Sequence, residues 1–181
     1  MQLDDIRKTI NQIDAGMKDM FDKRLEQSGY VVSEKLKTND EVFKPEREKE
    51  ILDRYISADE RWYRAFMKKL IEISRKYQYS LIIDRQMEDD KFFKGLSSEN
   101  QQALMHGGEL CLSFHTDSDG TNGLSIQGVL SVLSSTELVV KRICADSDSQ
   151  SVEVVLQVEN TAQARKEAYT FVYMLYKEAI W

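Results

Sequence analysis

Six apolar residues at the start of the chain, Leu3, Ile6, Ile10, Ile13, Met17 and Met20, are spaced alternately three and four apart. That is a seven-residue repeat, which lines all six along one narrow stripe of an α-helix and calls for a second helix to cover it. The stripe then meets Arg24, turns apolar again at Val31 and fades near Leu36, so the spacing predicts one long helix reaching to about residue 36. A single proline in 181 residues leaves little to interrupt it.

That proline, Pro45, stands at the head of the stretch VFKPEREKEIL. Its missing N–H suits the first turn of a helix, where acidic residues also complement the helix dipole, so a second helix is predicted from Pro45 through Ile51, Leu52 and Tyr55. A third is predicted from about Ser57, capped by that side chain with Glu60 and carrying Trp62, Phe66, Leu70, Ile71 and Ile73. Composition supports an ordered, helix-rich chain, with 41% apolar and 31% charged residues and only eight glycines. A net charge of −6 without a long basic run argues against nucleic acid as a partner. The charged start MQLDDIRKTI lacks the apolar run of a signal peptide, and the sequence holds no stretch apolar enough to span a membrane, so a cytoplasmic protein without membrane attachment is expected. Cys111 and Cys144 read as reduced thiols in a core, and with His106 and His115 they form no metal-ligand spacing or triad pattern. No metal or other cofactor is expected.

Near residue 95 the text changes from long charged helical runs to short runs of serine, glycine and β-branched residues. This predicts a helical domain over residues 1–90, a linker over 91–108 and an α+β domain over 109–181. The linker holds one short helix, capped by Ser98 with Gln101 and ended by Gly107 and Gly108. The second domain reads as strand 109–116, helix 123–134, strand 138–145, a turn at 146–150, strand 151–158 and helix 161–181, a β-α-β-β-α order. Alternation in Leu110, Leu112 and Phe114, and in Val152, Val154, Leu156 and Val158, marks half-buried strands.

Several polar residues of the first half fall in suggestive places. Arg24 and Lys35 are eleven apart, hence about 20° apart in azimuth and about 16 Å along a helix, so their long side chains could hold one small dianion between them. Arg47, on the second helix, could add a planar bidentate fork. Arg7 lies about 42 Å from Lys35 on a straight helix, too far to reach the same ligand within one chain, so any site it serves belongs to a partner. Ser74 and Gln78, four apart, share one face of the third helix. Taken singly, each of these reads first as an exposed surface residue, and exposed charges contribute little.

Together, the order LDDIRKTINQID, DKR, SEK, VFKPEREKEIL and LIEISRKYQ resembles the all-helical chorismate mutase family over roughly residues 1–82. The resemblance rests on spacing: an arginine four residues after the first leucine, an arginine seventeen later, a lysine eleven later, the Arg-Glu pair after a loop, and Ser-x-x-x-Gln on the last helix. It implies an all-α three-helix fold that forms an intertwined homodimer with shared active sites, and rearrangement of chorismate to prephenate. It also implies roles. Arg24 and the partner's Arg7 grip the two carboxylates, Arg47 holds a carboxylate region, and Glu48 accepts the ring hydroxyl. Lys35 and Gln78 hydrogen-bond the breaking ether oxygen, Ser74 assists binding, and Val31 and Ile71 form apolar walls. The family often has an acidic residue where this chain has Lys44.

The second half, with DGTNGLSIQGVLSVLSSTELVV at its centre, resembles the ACT domain over roughly residues 109–181, without the usual last strand. That resemblance implies amino-acid binding at a domain interface, with phenylalanine or tyrosine the effectors to test and the amino acid itself left open by the sequence, although a layer that only packs or dimerises reads equally well. Two other functions fit the helical scaffold: a lyase that removes pyruvate from isochorismate, and a non-catalytic helical dimer that regulates another enzyme of the shikimate pathway.

Overall fold

The structure, a computed structural model, describes residues 2–55, 60–86, 91–115, 126–146 and 151–178. Helix α1 runs Leu3–Thr38, α2 Pro45–Tyr55 and α3 Arg61–Gln86. Two short helices follow, α4 Lys91–Gly95 and α5 Ser98–His106. Strand β1 (Gly108–His115), helix α6 (Ile126–Leu133), strands β2 (Val139–Asp146) and β3 (Ser151–Val158) and helix α7 (Ala162–Glu178) complete the order.

Helix α1 has the length that its seam predicts and ends at Asn39, a left-handed cap with φ of 52° whose N–H bonds the Lys35 carbonyl. Its two parts differ. Leu3, Ile6, Ile10, Ile13, Met17 and Met20 are all exposed, Met20 at 67%. From Phe21 onward the residues facing α3 become covered, and Ser28 and Val32 are buried. Helix α2 begins at Pro45 as expected, with Glu46 and Glu48 in its first turn. Ser57, the expected cap of the third helix, lies outside the described residues. Trp62 and Phe66 are exposed, while Ile71 is buried against Leu52 of α2.

The cap of α5 is Ser97, whose hydroxyl accepts from the Asn100 N–H at 3.2 Å, which corrects the expected pair of Ser98 and Gln101 by one residue. Gln101 instead donates from its side chain to the Leu96 carbonyl at 2.8 Å. Gly107 closes the helix at φ 80°, and a Cβ there would lie 2.8 Å from the Asn160 nitrogen, so glycine is required on both counts.

The sheet order is β1-β3-β2, antiparallel throughout. Leu110 pairs with Leu156 and Leu112 with Val154, which puts the alternating apolar residues of both strands on one buried face. Strand β2 departs from that pattern: all eight of its residues are exposed, and its register shifts between Val140 and Arg142. The outer edge of β1 is partly closed by Asn100 of α5. Its side chain donates to the Cys111 carbonyl at 2.7 Å and accepts from the Cys111 N–H at 3.0 Å, standing in for a neighbouring strand. Residues 116–125, with the end of the first predicted strand and the beginning of the predicted helix at Gly123, most of the predicted turn at 146–150 and the last three residues lie outside the described residues.

One apolar core joins the two halves. Tyr79 and Ile83 of α3 enter the same cluster as Phe92, Leu104, the inner face of the sheet and Ala168 to Leu175 of α7. Tyr79 meets the Tyr173 ring edge-on at 5.9 Å, and Phe92 meets it at 5.5 Å. Polar links add to the join: Lys69 donates to the Ser131 carbonyl at 2.6 Å, and Lys76 pairs with Glu167 at 2.8 Å.

Cys111 and Cys144 are free and exposed, which corrects the expectation that they fill a core. Both face outward on the pleat, Cys111 alternating with buried Leu110 and Leu112 and Cys144 on a strand without a buried residue. His106 and His115 are exposed as well. Among the described residues no group of three or more His, Cys, Asp or Glu could hold a metal ion, and no helix is long and apolar enough to cross a membrane.

Candidate active site

Helices α1, α2 and α3 bring most of the singled-out residues together where the C-terminal part of α1 packs on α3 and α2 lies beside them. Arg24 reaches across to α3, where its guanidinium bonds the Ser74 hydroxyl and lies 3.4 Å from the Leu70 carbonyl. Ser74, 3% exposed, donates in turn to the Leu70 carbonyl at 2.9 Å. Burial lowers the Arg24 pKa, though an arginine stays charged under any ordinary condition.

Lys35, near the end of α1, turns into the loop that joins α1 to α2. Its ammonium donates to the Glu41 carbonyl at 2.6 Å and to the Val42 carbonyl at 2.9 Å. Burial lowers its pKa, with Asp40 and Glu48 pulling the other way and Lys44 adding to the fall. An ammonium has three donors, so these two bonds leave one. Lys44 itself is tied to Asp40 at 2.5 Å and extends toward solvent.

Glu48 pairs with Arg75 of α3 through one carboxylate oxygen. Arg75 also lies over the Phe43 ring, 4.7 Å from its centre, and its Nε approaches Glu178 at 2.6 Å without a hydrogen-bonding angle, as an ion pair. Burial pushes the Glu178 carboxyl up to about 7, against the pull of Arg75 and with Glu48 adding to the rise. Burial draws the Arg75 pKa down, and Glu178 and Glu48 more than offset it.

Gln78 lies one turn beyond Ser74 on α3, and its buried side-chain oxygen has no hydrogen-bond partner among the described residues. A bare buried acceptor costs about 1–3 kcal/mol, so this oxygen gains from a ligand group that donates to it. Three residues stand apart from the cluster. Arg47 points to solvent and pairs with Glu50 at 2.9 Å. Val31 is 43% exposed. Arg7 pairs with Asp4 at 3.4 Å in the first turns of α1, about 26 Å up the helix from Arg24.

Sequence reasoning passed over Arg75 and Glu178. Arg75 was visible only as the neighbour of Ser74, about 100° further round the helix, and Glu178 lies in the other half of the chain with no spacing to connect it.

The three helices thus carry a part-buried Arg24–Ser74 pair, the Lys35 ammonium on the loop that leads to α2, the Glu48–Arg75 pair and the bare Gln78 amide. Residues 6–79 match the family model of chorismate mutase type II. No curated protein and no solved structure matches the chain.

Proposed function

We propose that the protein rearranges chorismate to prephenate in sites shared by two copies of the chain. The observation that carries this reading is that residues 6–79 match the chorismate mutase type II model, and that segment holds Arg24, Lys35, Glu48, Ser74 and Gln78 on α1, α2 and α3, with α1 and α2 both packed on α3. In the reaction the ether C–O bond lengthens and negative charge gathers on its oxygen. The remaining Lys35 donor and the Gln78 amide meet that oxygen, where fixed donors stabilise the transition state more than the ground state. Arg24, held by Ser74, and Arg7 of the partner subunit grip the two carboxylates and fold the enolpyruvyl arm over the ring, removing much of the entropic barrier. Glu48 accepts the ring hydroxyl on the oxygen that Arg75 leaves open. Arg47 must swing from Glu50 to reach a carboxylate, a small cost for an exposed pair. Ile71 and Val31 supply apolar walls.

Two copies are needed for two reasons. Arg7 cannot reach its own Arg24, and the seam from Leu3 to Met20 lies open in the single chain. A cleft of about 1090 Å³ lined by Met17, Met20, Arg24, Phe66 and Leu70 runs beside that seam. The C-terminal half is the place for regulation by phenylalanine or tyrosine, since its core is continuous with α3.

The test is a steady-state assay of the purified chain with chorismate and, separately, isochorismate, with and without phenylalanine or tyrosine. Prephenate from chorismate supports the mutase reading. Pyruvate from isochorismate alone establishes the lyase, and no turnover of either leaves a regulator of another pathway enzyme.

A further inference from the structure

Glu48 is connected to the far end of the chain. Arg75 touches both Glu48 at the head of α2 and Glu178, the last described residue of α7, and all three side chains line one cleft of about 310 Å³ between α2, α3, α6 and α7. Arg75 and Glu178 are nearly covered, with side chains 12% and 7% exposed. A buried guanidinium between two carboxylates has little freedom to turn, because its planar fork fixes the direction of each N–H. Its position over Phe43 restricts it further.

The geometry points to Arg75 and Glu178 as positioning residues for Glu48: the C-terminal helix anchors Arg75 through its Nε, and Arg75 holds the Glu48 carboxylate toward the substrate hydroxyl. The inference rests on the mutase reading and extends it, because it makes the second half of the chain a structural part of the site. Neither residue touches the substrate. Each acts through the next, as an outer support that fixes the orientation of a contacting group.

The link also responds to pH. The charged groups that face Glu178 are Arg75, Glu72 and Lys68 of α3 and Glu48 of α2, with the Tyr79 phenol beside them; α6 brings only uncharged residues to the cleft. Burial holds the Glu178 carboxyl at about 7, so below that pH it is protonated and Arg75 loses its anchor, while above it the ion pair forms.

The experiment measures kcat/KM for chorismate against pH on the full chain, for wild type, Arg75→Gln and the near-isosteric Glu178→Gln, with thermal unfolding of each. A wild-type profile that rises through about 7 is expected. Glu178→Gln should lose that rise and stay on the order of tenfold below the wild-type plateau with its unfolding midpoint little changed, and Arg75→Gln should fall on the order of a hundredfold, the scale of a misplaced contacting group. Wild-type kcat/KM and an unchanged pH profile in Glu178→Gln would overturn the inference even if Arg75→Gln failed to fold. A wild-type chain inactive on chorismate overturns the mutase reading instead, and this inference with it.

Discussion

At the scale of single residues the proposed chemistry rests on Lys35 and Gln78. On that proposal each supplies a donor to an oxygen that becomes anionic only in the transition state, so Lys35→Ala and Gln78→Ala should each cost about 3–4 kcal/mol of barrier, on the order of a hundredfold to a thousandfold in kcat. Both should still fold, since Lys35 bonds only loop carbonyls and the Gln78 oxygen bonds nothing among the described residues. Steady-state kinetics with circular dichroism checks this, and near-normal turnover would remove either residue from its role. Glu178 makes a stability prediction. Its carboxyl titrates higher in the folded chain than the ordinary 4.5, so the folded state binds the extra proton and stability is lost as pH rises from there through about 7. Urea unfolding at several pH values should show that loss in the wild type and a flatter dependence in Glu178→Gln. The residues of this site were unequally legible. Arg24, Lys35, Glu48, Ser74 and Gln78 are singled out by spacing within two or three helices, and their roles await the test above, whereas Arg75 needs its partner on α7 to acquire meaning, and no periodicity spans that separation.

The helices were legible where their own residues settle them, at the level of elements. The heptad seam sets the length of α1, Pro45 starts α2, and the alternation of Val152, Val154, Leu156 and Val158 delimits β3 to the residue. Where a neighbour decides, the text misleads. Ser98 looks like a cap, yet Ser97 is placed by the turn after α4 to receive the Asn100 N–H. The cysteines look like core residues, yet the pleat turns Cys111 outward and β2 has no covered face. The composition change near residue 95 suggests a clean division, while Tyr79 and Ile83 are buried against α7. Uncovering such side chains costs about 1.5–3 kcal/mol each. A chain ending at residue 90 should therefore unfold at a lower temperature than the full chain, and Tyr79→Ala in the full chain should lower the midpoint as well, both read by calorimetry. An unchanged midpoint in the shorter chain would show that the helical half does not lean on the rest.

The whole molecule is an assembly argument. The proposed crossing of two copies would cover the exposed apolar seam of a 36-residue helix and give the arginine near its start a site to serve. The C-terminal half then lies behind α3, joined to it by a common core and to Glu48 by Arg75. The most direct measurement mixes two chains, Arg7→Ala and Lys35→Ala, each inactive alone, under conditions where subunit exchange is demonstrated. If each site draws Arg7 from one copy and Lys35 from the other, random pairing makes half of the dimers mixed, each with one intact site, and about a quarter of wild-type activity returns. If activity stays at the level of the separate variants while exchange proceeds, the shared site is wrong and Arg7 is structural.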